Sequence, residues 1–242
     1  MDIPVLFEDL DIVAIDKPSG VIVNRAESVS VATLQDWMDA RYRLLWKKYS
    51  PHQFPVFFSR SGIAHRLDKE TSGVVIAAKT PQSLDLILAQ FKSRQVEKTY
   101  LALSHGKLPS VSGTIQASVG RLPWNRERFG VLPGGREAET SYTVKRVYFF
   151  KKEYYSFLVI FPKTGRTHQI RIHLKHVGHP IVSDSFYAGR KIARSDRIFC
   201  PRLFLHSQSI TIHHPKTSKL MTIVSPLPKD LDDVLAKMEP VN

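Results

Sequence analysis

The chain has 242 residues, 43% of them hydrophobic, and one cysteine, which allows a substantial core but no intramolecular disulfide and so suits a reducing compartment. Its acidic opening "MDIPVLFEDLDIVAI" lacks the basic start of a signal peptide, and no apolar stretch approaches the roughly 18 residues of a membrane span, so a cytoplasmic protein is expected. Lysine and arginine number 35 against 22 aspartates and glutamates, a net charge of +13; between Lys163 and Arg202 nine basic residues face only Asp184 and Asp196, and charge gathered in this way points to a nucleic acid as partner.

"VLFED" and "DIVAID" read as two short strands, and the turn "KPSG" at 17–20 feeds a third, "VIVN". Leu34, Trp37, Met38, Tyr42 and Leu45 recur at helical spacing over 33–48, whereas 50–62 reads as a loop. The polar knot "HRLDKETSG" at 65–73 runs into a strand, "GVVIAAKT". Thr80 is placed to cap a helix with Pro81 in its first turn and Leu84, Ile87, Leu88 and Phe91 as its apolar stripe. "KTYLALS" is again a strand. The Gly-, Pro- and Ser-rich stretch 106–135 reads as short strands and exposed loops. "TSYTVKRVYFF" and "YYSFLVIFP" form an antiparallel pair, expected to be buried from Phe157 to Phe161. A helix is expected over 167–178, capped by Thr167, with Ile170, Leu174 and Val177 inward and Gly178 as its stop. Two strands, "LFLHSQSITIHHP" and "KLMTIVSPLP", and a short helix from about Asp230 complete the chain. A single mixed α+β domain over 1–242, with antiparallel strands dominant, is the most economical architecture.

Helical spacing over 167–178 gathers His168, Arg171 and Lys175 on one side, with Arg166 just before them: a cationic face suited to phosphate or carboxylate, or else a solvated one. His168, His173, His176 and His179 are close in sequence and His213 and His214 are adjacent. A dication among them would meet Arg166, Arg171 and Lys175, so no metal is expected, and a metal-dependent hydrolase is the rival reading. Cys200, between Phe199 and Pro201, looks structural. Neither a nucleophile elbow, nor a phosphate-cradling loop, nor a dinucleotide fingerprint is present. Asp68, flanked by Arg66 and Lys69 ahead of a buried strand, is a carboxylate that can stay ionised and act as nucleophile or base; a purely structural Arg–Asp pair is the other reading.

"HRLDKETSG" resembles the diagnostic motif of the RluA-type pseudouridine synthases: His-Arg-Leu-Asp, two variable residues, Thr-Ser-Gly. Three further blocks resemble that family in order: "DKPSGVIVN" at 16–24, "EKTYLAL" at 97–103 and "KTGRTHQIRIHLKHVGHPIVSDSFYAG" at 163–189. The resemblance spans essentially the whole chain. It implies a pseudouridine synthase catalytic domain, α+β, with a mixed mainly antiparallel β-sheet, flanking helices and a central active-site cleft. It also implies an enzyme that isomerises uridine to pseudouridine in structured RNA, ribosomal or transfer, with no cofactor and no metal.

Carried over residue by residue, the family's catalytic aspartate corresponds to Asp68 and its base-stacking tyrosine to Tyr100. The arginine that pairs with the aspartate corresponds to Arg171, ahead of Arg166. Arg66 corresponds to the arginine that enters the RNA stack where the target nucleotide leaves, and Leu174 to a position beneath the uracil that is first of all a core position. Arg66, Arg166, His168 and Lys175 are the expected RNA contacts. The stretch 106–135, with Arg121, Trp124, Arg126 and Arg128, is either an RNA clamp or a mobile exposed hairpin. Many relatives carry a small S4 RNA-binding domain ahead of the catalytic one; with the first block at 16–24 none fits here, and a monomer suffices. An RNA-binding protein on the same fold that no longer catalyses is the remaining alternative.

Overall fold

The computed structural model describes residues 1–123 and 125–241, with the backbone alone for residues 126 and 127. In chain order the elements are β1 (Val5–Glu8), β2 (Ile12–Lys17), α1 (Leu34–Trp46), α2 (Pro55–Arg60), β3 (Ser72–Ala78), α3 (Pro81–Lys92), β4 (Glu97–His105), β5 (Ser112–Gln116) and β6 (Val119–Leu122). There follow β7 (Asn125–Val131), β8 (Glu139–Phe150), β9 (Glu153–Pro162), α4 (Gln169–His176), α5 (Arg190–Asp196), β10 (Leu205–His213), β11 (Leu220–Val224), α6 (Lys229–Leu235) and β12 (Glu239–Val241). The fold is α+β, a mainly antiparallel sheet with flanking helices. Among the described residues no helix is long and apolar enough to cross a membrane.

The chain divides into two compact units, Met1–Glu97 with Ser209–Ser225, and Lys98–Gln208 with Pro226 onward. In the first, β1, β2 and β3 form an antiparallel ladder with Ala14 opposite Ile76, and β10 pairs with β11. All seven positions of β3 are buried, which accounts for its unbroken apolar run. Thr80 caps α3 by accepting the Ser83 N–H, and Leu84 and Ile87 of that helix are fully buried. Thr33 and Asp36 close a capping box on α1.

The second unit is built on β4, β9 and β8, an antiparallel run flanked on β8 by β5 and β12. The β6–β7 hairpin stands on α4: Phe129, Val131 and Tyr187 pack against Val119, Ala138 and Ile172, and His173 Nε2 lies 3.0 Å from Ala117 O. The stretch 106–135 thus has its own apolar anchor. Trp124 and the Arg126 side chain lie outside the described residues.

Four local expectations are corrected. "VIVN" is not a strand, because its backbone is claimed elsewhere: Ile22 O and Val23 O accept the first N–H groups of α1, from Leu34 and Gln35, and Val21 O accepts from Lys17. The stretch 50–62 is not all loop: Pro55 opens α2, which seats Phe57 in the core beside Trp46. Phe161 is 42% exposed, since alternation along β9 turns it outward. Helix α4 starts later than expected. Its cap is His168, in the left-handed region at φ 54°, and Val177 falls beyond its end and 41% exposed. Helix α5 and strand β12 were not anticipated.

Candidate active site

The Asp68 loop belongs to the first unit. Ala64 N–H donates to Ile76 O, and Ile76 N–H in turn donates to His65 Nε2 at 3.1 Å, so the imidazole stands in for a strand partner along β3. Accepting there requires a neutral ring protonated at Nδ1; the His65 ring rests 5.1 Å from that of Phe91 on α3. Leu67 enters the core while Arg66 is exposed and Asp68 is half-buried. Thr71 N–H donates to Asp68 O and closes the turn.

The other side of this loop is held by residues 17–20. Lys17 ends β2 fully buried, and its ammonium donates to Pro18 O at 2.8 Å, Val21 O at 2.9 Å and Lys69 O at 3.2 Å. Three carbonyls match the three protons of an ammonium, the condition under which a buried charge is tolerated. Gly20, at φ +89° where glycine is at ease, donates its N–H to Lys69 O at 2.7 Å, and Ser19 Oγ donates to Glu70 O at 2.7 Å. The blocks at 16–24 and 65–73, 40 residues apart, therefore form one structure. Lys69 and Glu70 take part through their carbonyls. Lys17 and Ser19 were not singled out in the sequence; a lysine closing the apolar run "IVAIDK" was the available signal.

In the second unit Tyr100 lies on β4 opposite Ile160, half-buried, its ring packed on an apolar cluster that includes Leu174. Leu174 is fully buried, so its core role holds. Two residues before Tyr100, and so on the same face of the strand, Lys98 donates to Thr164 O at 3.4 Å. Burial pushes its ammonium pKa down to about 8.

Arg171 does not lie on an open cationic face. It is 3% exposed and engages the fully buried Asp184 two-pronged, Nε to Oδ2 and an Nη to Oδ1, both at 2.8 Å. Asp184 Oδ1 also accepts the N–H groups of Phe186 and Tyr187, each at 3.0 Å, so one carboxylate fixes the guanidinium and the turn after it. Lys175, one turn along, is exposed. Arg166 donates from Nε to Glu137 O, and its N–H donates to Gln169 Oε1. His168 Nδ1 lies 2.7 Å from Tyr187 Oη.

Aromatic rings hold three of the expected RNA contacts of this unit. Arg121 stands over Phe129 at 4.9 Å and Arg128 over Phe186 at 4.7 Å, while the His168 ring contacts Phe129, Phe186 and Tyr187. The structure thus brings Arg121, Arg128 and His168 together and leaves Lys175 apart. Two histidines of the 168–179 stretch turn to backbone carbonyls, His173 Nε2 to Ala117 O and His179 Nδ1 to His105 O. A different trio, Asp9, Asp11 and His214, has ligand atoms within 4.8 Å of one another, but His214 Nε2 and Asp9 Oδ2 already bond at 2.7 Å. Burial pushes the Cys200 thiol up to about 11, and the side chain donates to Arg202 O, so it is an inert structural group.

Residues 11–176 match the family model described as RNA pseudouridylate synthase. The chain is similar to the "Uncharacterized RNA pseudouridine synthase" of Chloroflexus aurantiacus, 37% identical over 224 residues, covering 93% of this chain and 66% of that one. It is also similar to ribosomal large subunit pseudouridine synthase D of Pseudomonas aeruginosa, 34% identical over 239 residues, covering 95% and 70% of the two chains. The chain thus spans about two thirds of the length of these relatives. Among solved structures it resembles human RNA pseudouridylate synthase domain containing 1, with a TM-score of 0.74, 25% identity and coverage of 100% of this chain and 89% of that one.

Proposed function

The chain belongs to the RNA pseudouridylate synthase family, and on that premise we propose that it isomerises specific uridines in structured RNA with Asp68 as its essential catalytic group, 1–242 acting as one catalytic domain. Ribosomal RNA is the first target to test, because the Pseudomonas relative is named for the large ribosomal subunit; transfer RNA is the second. A cytoplasmic monomer satisfies this reading.

The observation that carries it is the construction of the Asp68 loop. Lys17, Ser19, Gly20 and His65 hold the backbone on both sides of Asp68, while Arg66 next to it is left exposed. Rigid support beneath a half-exposed carboxylate is what a catalytic group needs.

Pseudouridine formation breaks the N1–C1′ bond, turns the uracil and rejoins it through C5, whose proton is then lost to a base. A stacked base cannot be reached, so the nucleotide is flipped out. Tyr100 offers the stacking platform, and Arg66 steadies the RNA left behind. Ionised Asp68 either attacks the nucleotide or takes the C2′ proton; both routes need the negative charge, which Arg171 serves electrostatically. Arg121, Arg128, Arg166, His168 and Lys175 contact phosphates, and the β6–β7 hairpin with Arg126 closes as a clamp.

Asp68→Asn is expected to abolish pseudouridine formation while Tm and RNA affinity stay close to wild type. The measurement is pseudouridine mapping of RNA from cells that lack the gene, complemented with either form. A mutant that restores every site would sink the assignment of Asp68.

A further inference from the structure

Helix α5 sits in the second unit and buries only Ala193 and Asp196. Asp196, its one acid, is turned inward: it accepts the Ser183 N–H at 2.8 Å and lies 3.0 Å from His105 Nε2. Arg190, Lys191, Arg194 and Arg197 all face out. Arg190, Arg194 and Arg197 fall at i, i+4 and i+7, a row about 10 Å long at 1.5 Å per residue, with Lys191 beside it. Among the described residues no carboxylate pairs with Arg190, Lys191 or Arg194.

This arrangement runs against helix electrostatics twice. Arg190 and Lys191 occupy the first turn, where the helix dipole disfavours cations, and Arg190 repels Arg194 one turn on. A face kept only for solubility would intersperse acids, yet the one acid of the element is spent inside. A polyanion laid along the row relieves both conflicts.

We infer that α5 is a landing surface for the phosphate backbone of RNA, contacted by Arg190, Lys191, Arg194 and Arg197 outside the reacting nucleotide. The inference rests on the reading of the chain as an RNA-modifying enzyme and adds where the flanking strand is held. Asp196 ties α5 to Ser183, whose neighbour Asp184 holds Arg171, so a strand gripped here lies on the same segment that positions that arginine.

The test is the triple variant Arg190→Gln, Lys191→Gln, Arg194→Gln, titrated with bulk ribosomal RNA and with a 20-base-pair RNA duplex of arbitrary sequence across a salt series. Each lost phosphate contact removes about 0.7–0.9 from the slope of log K against log salt, so the slope should shrink by about 2–3 and low-salt affinity fall about 10- to 100-fold. The pair Lys216→Gln, Lys219→Gln, on the turn between β10 and β11, should bind as wild type does. An unchanged slope in the triple variant, or an equal loss in the control pair, overturns the landing surface. The readout is binding and needs no turnover, so absence of pseudouridine formation by the wild type would fail the proposed function separately.

Discussion

The Asp68 loop of the first unit and the Arg171 segment of the second solve one problem in opposite ways. Around Asp68, the proposed catalytic group, it is the neighbours' backbone that is held: Lys17, Ser19 and Gly20 grip the carbonyls of Lys69 and Glu70. At Arg171 the side chain is itself gripped, by both oxygens of a fully buried carboxylate. Where the grip is on backbone, the side chain can be altered with little cost to folding. Where the grip is on a buried charge, altering either partner strands the other.

The largest test of this contrast is Asp184→Asn, which takes from the buried Arg171 guanidinium the carboxylate that holds it at two points. A loss of about 3–5 kcal/mol is expected in denaturant unfolding. The double variant Arg171→Met, Asp184→Asn, whose amide oxygen still accepts the Phe186 and Tyr187 N–H groups, should regain part of that stability without regaining activity. A single-variant loss below about 1 kcal/mol would break the comparison.

Lys17→Met comes next. It takes their donor from the Pro18 and Val21 carbonyls and leaves Lys69 O with the Gly20 N–H alone, at about 1–3 kcal/mol for groups left unsatisfied. Because the same ammonium fixes the Asp68 loop, turnover should fall further than stability accounts for, as a drop in kcat at saturating RNA. A variant as active as wild type at saturating RNA would remove Lys17 from the support of the loop.

The smallest effect belongs to the second unit's counterpart, Lys98, which has one 3.4 Å bond to Thr164 O where Lys17 has three carbonyls. Its folded pKa, about 8, lies below the ordinary 10.5. Between those values the unfolded chain binds the extra proton, so wild-type stability rises with pH across about 8 to 10.5. Lys98→Met should raise Tm at pH 7 by a few degrees, with the gain shrinking toward pH 10.5. A gain of equal size at both pH values would show that the ammonium charge is not its cause.

Much of this was legible along the chain. Alternation and helical spacing located most of the strands, α1 and α3, and Thr80 was recognisable as a cap because its partner lies three residues away. The polar knot before the apolar run "VVIAA" announced the Asp68 loop, since so many charges cannot enter a core. What could not be read were choices of partner. "VIVN" has strand composition, but its carbonyls go to Leu34, Gln35 and Lys17. Arg171 belongs to a cationic stripe on a helical wheel, and only the fold turns it onto Asp184, 13 residues away. The left-handed His168 displaced Thr167 as a cap for the same kind of reason, its ring being drawn to Tyr187, Phe129 and Phe186.

The sequence by itself determined where most strands and helices form and which residue types are present for chemistry, because periodicity and composition are local. Only the tertiary structure decided which buried charge meets which carbonyl or carboxylate: that Lys17 serves the Asp68 loop, that Asp184 holds Arg171, and that α5 turns its acid in and its cations out. A buried polar group must be satisfied by whatever the fold brings within about 3 Å, and that neighbour is not marked in the chain around it.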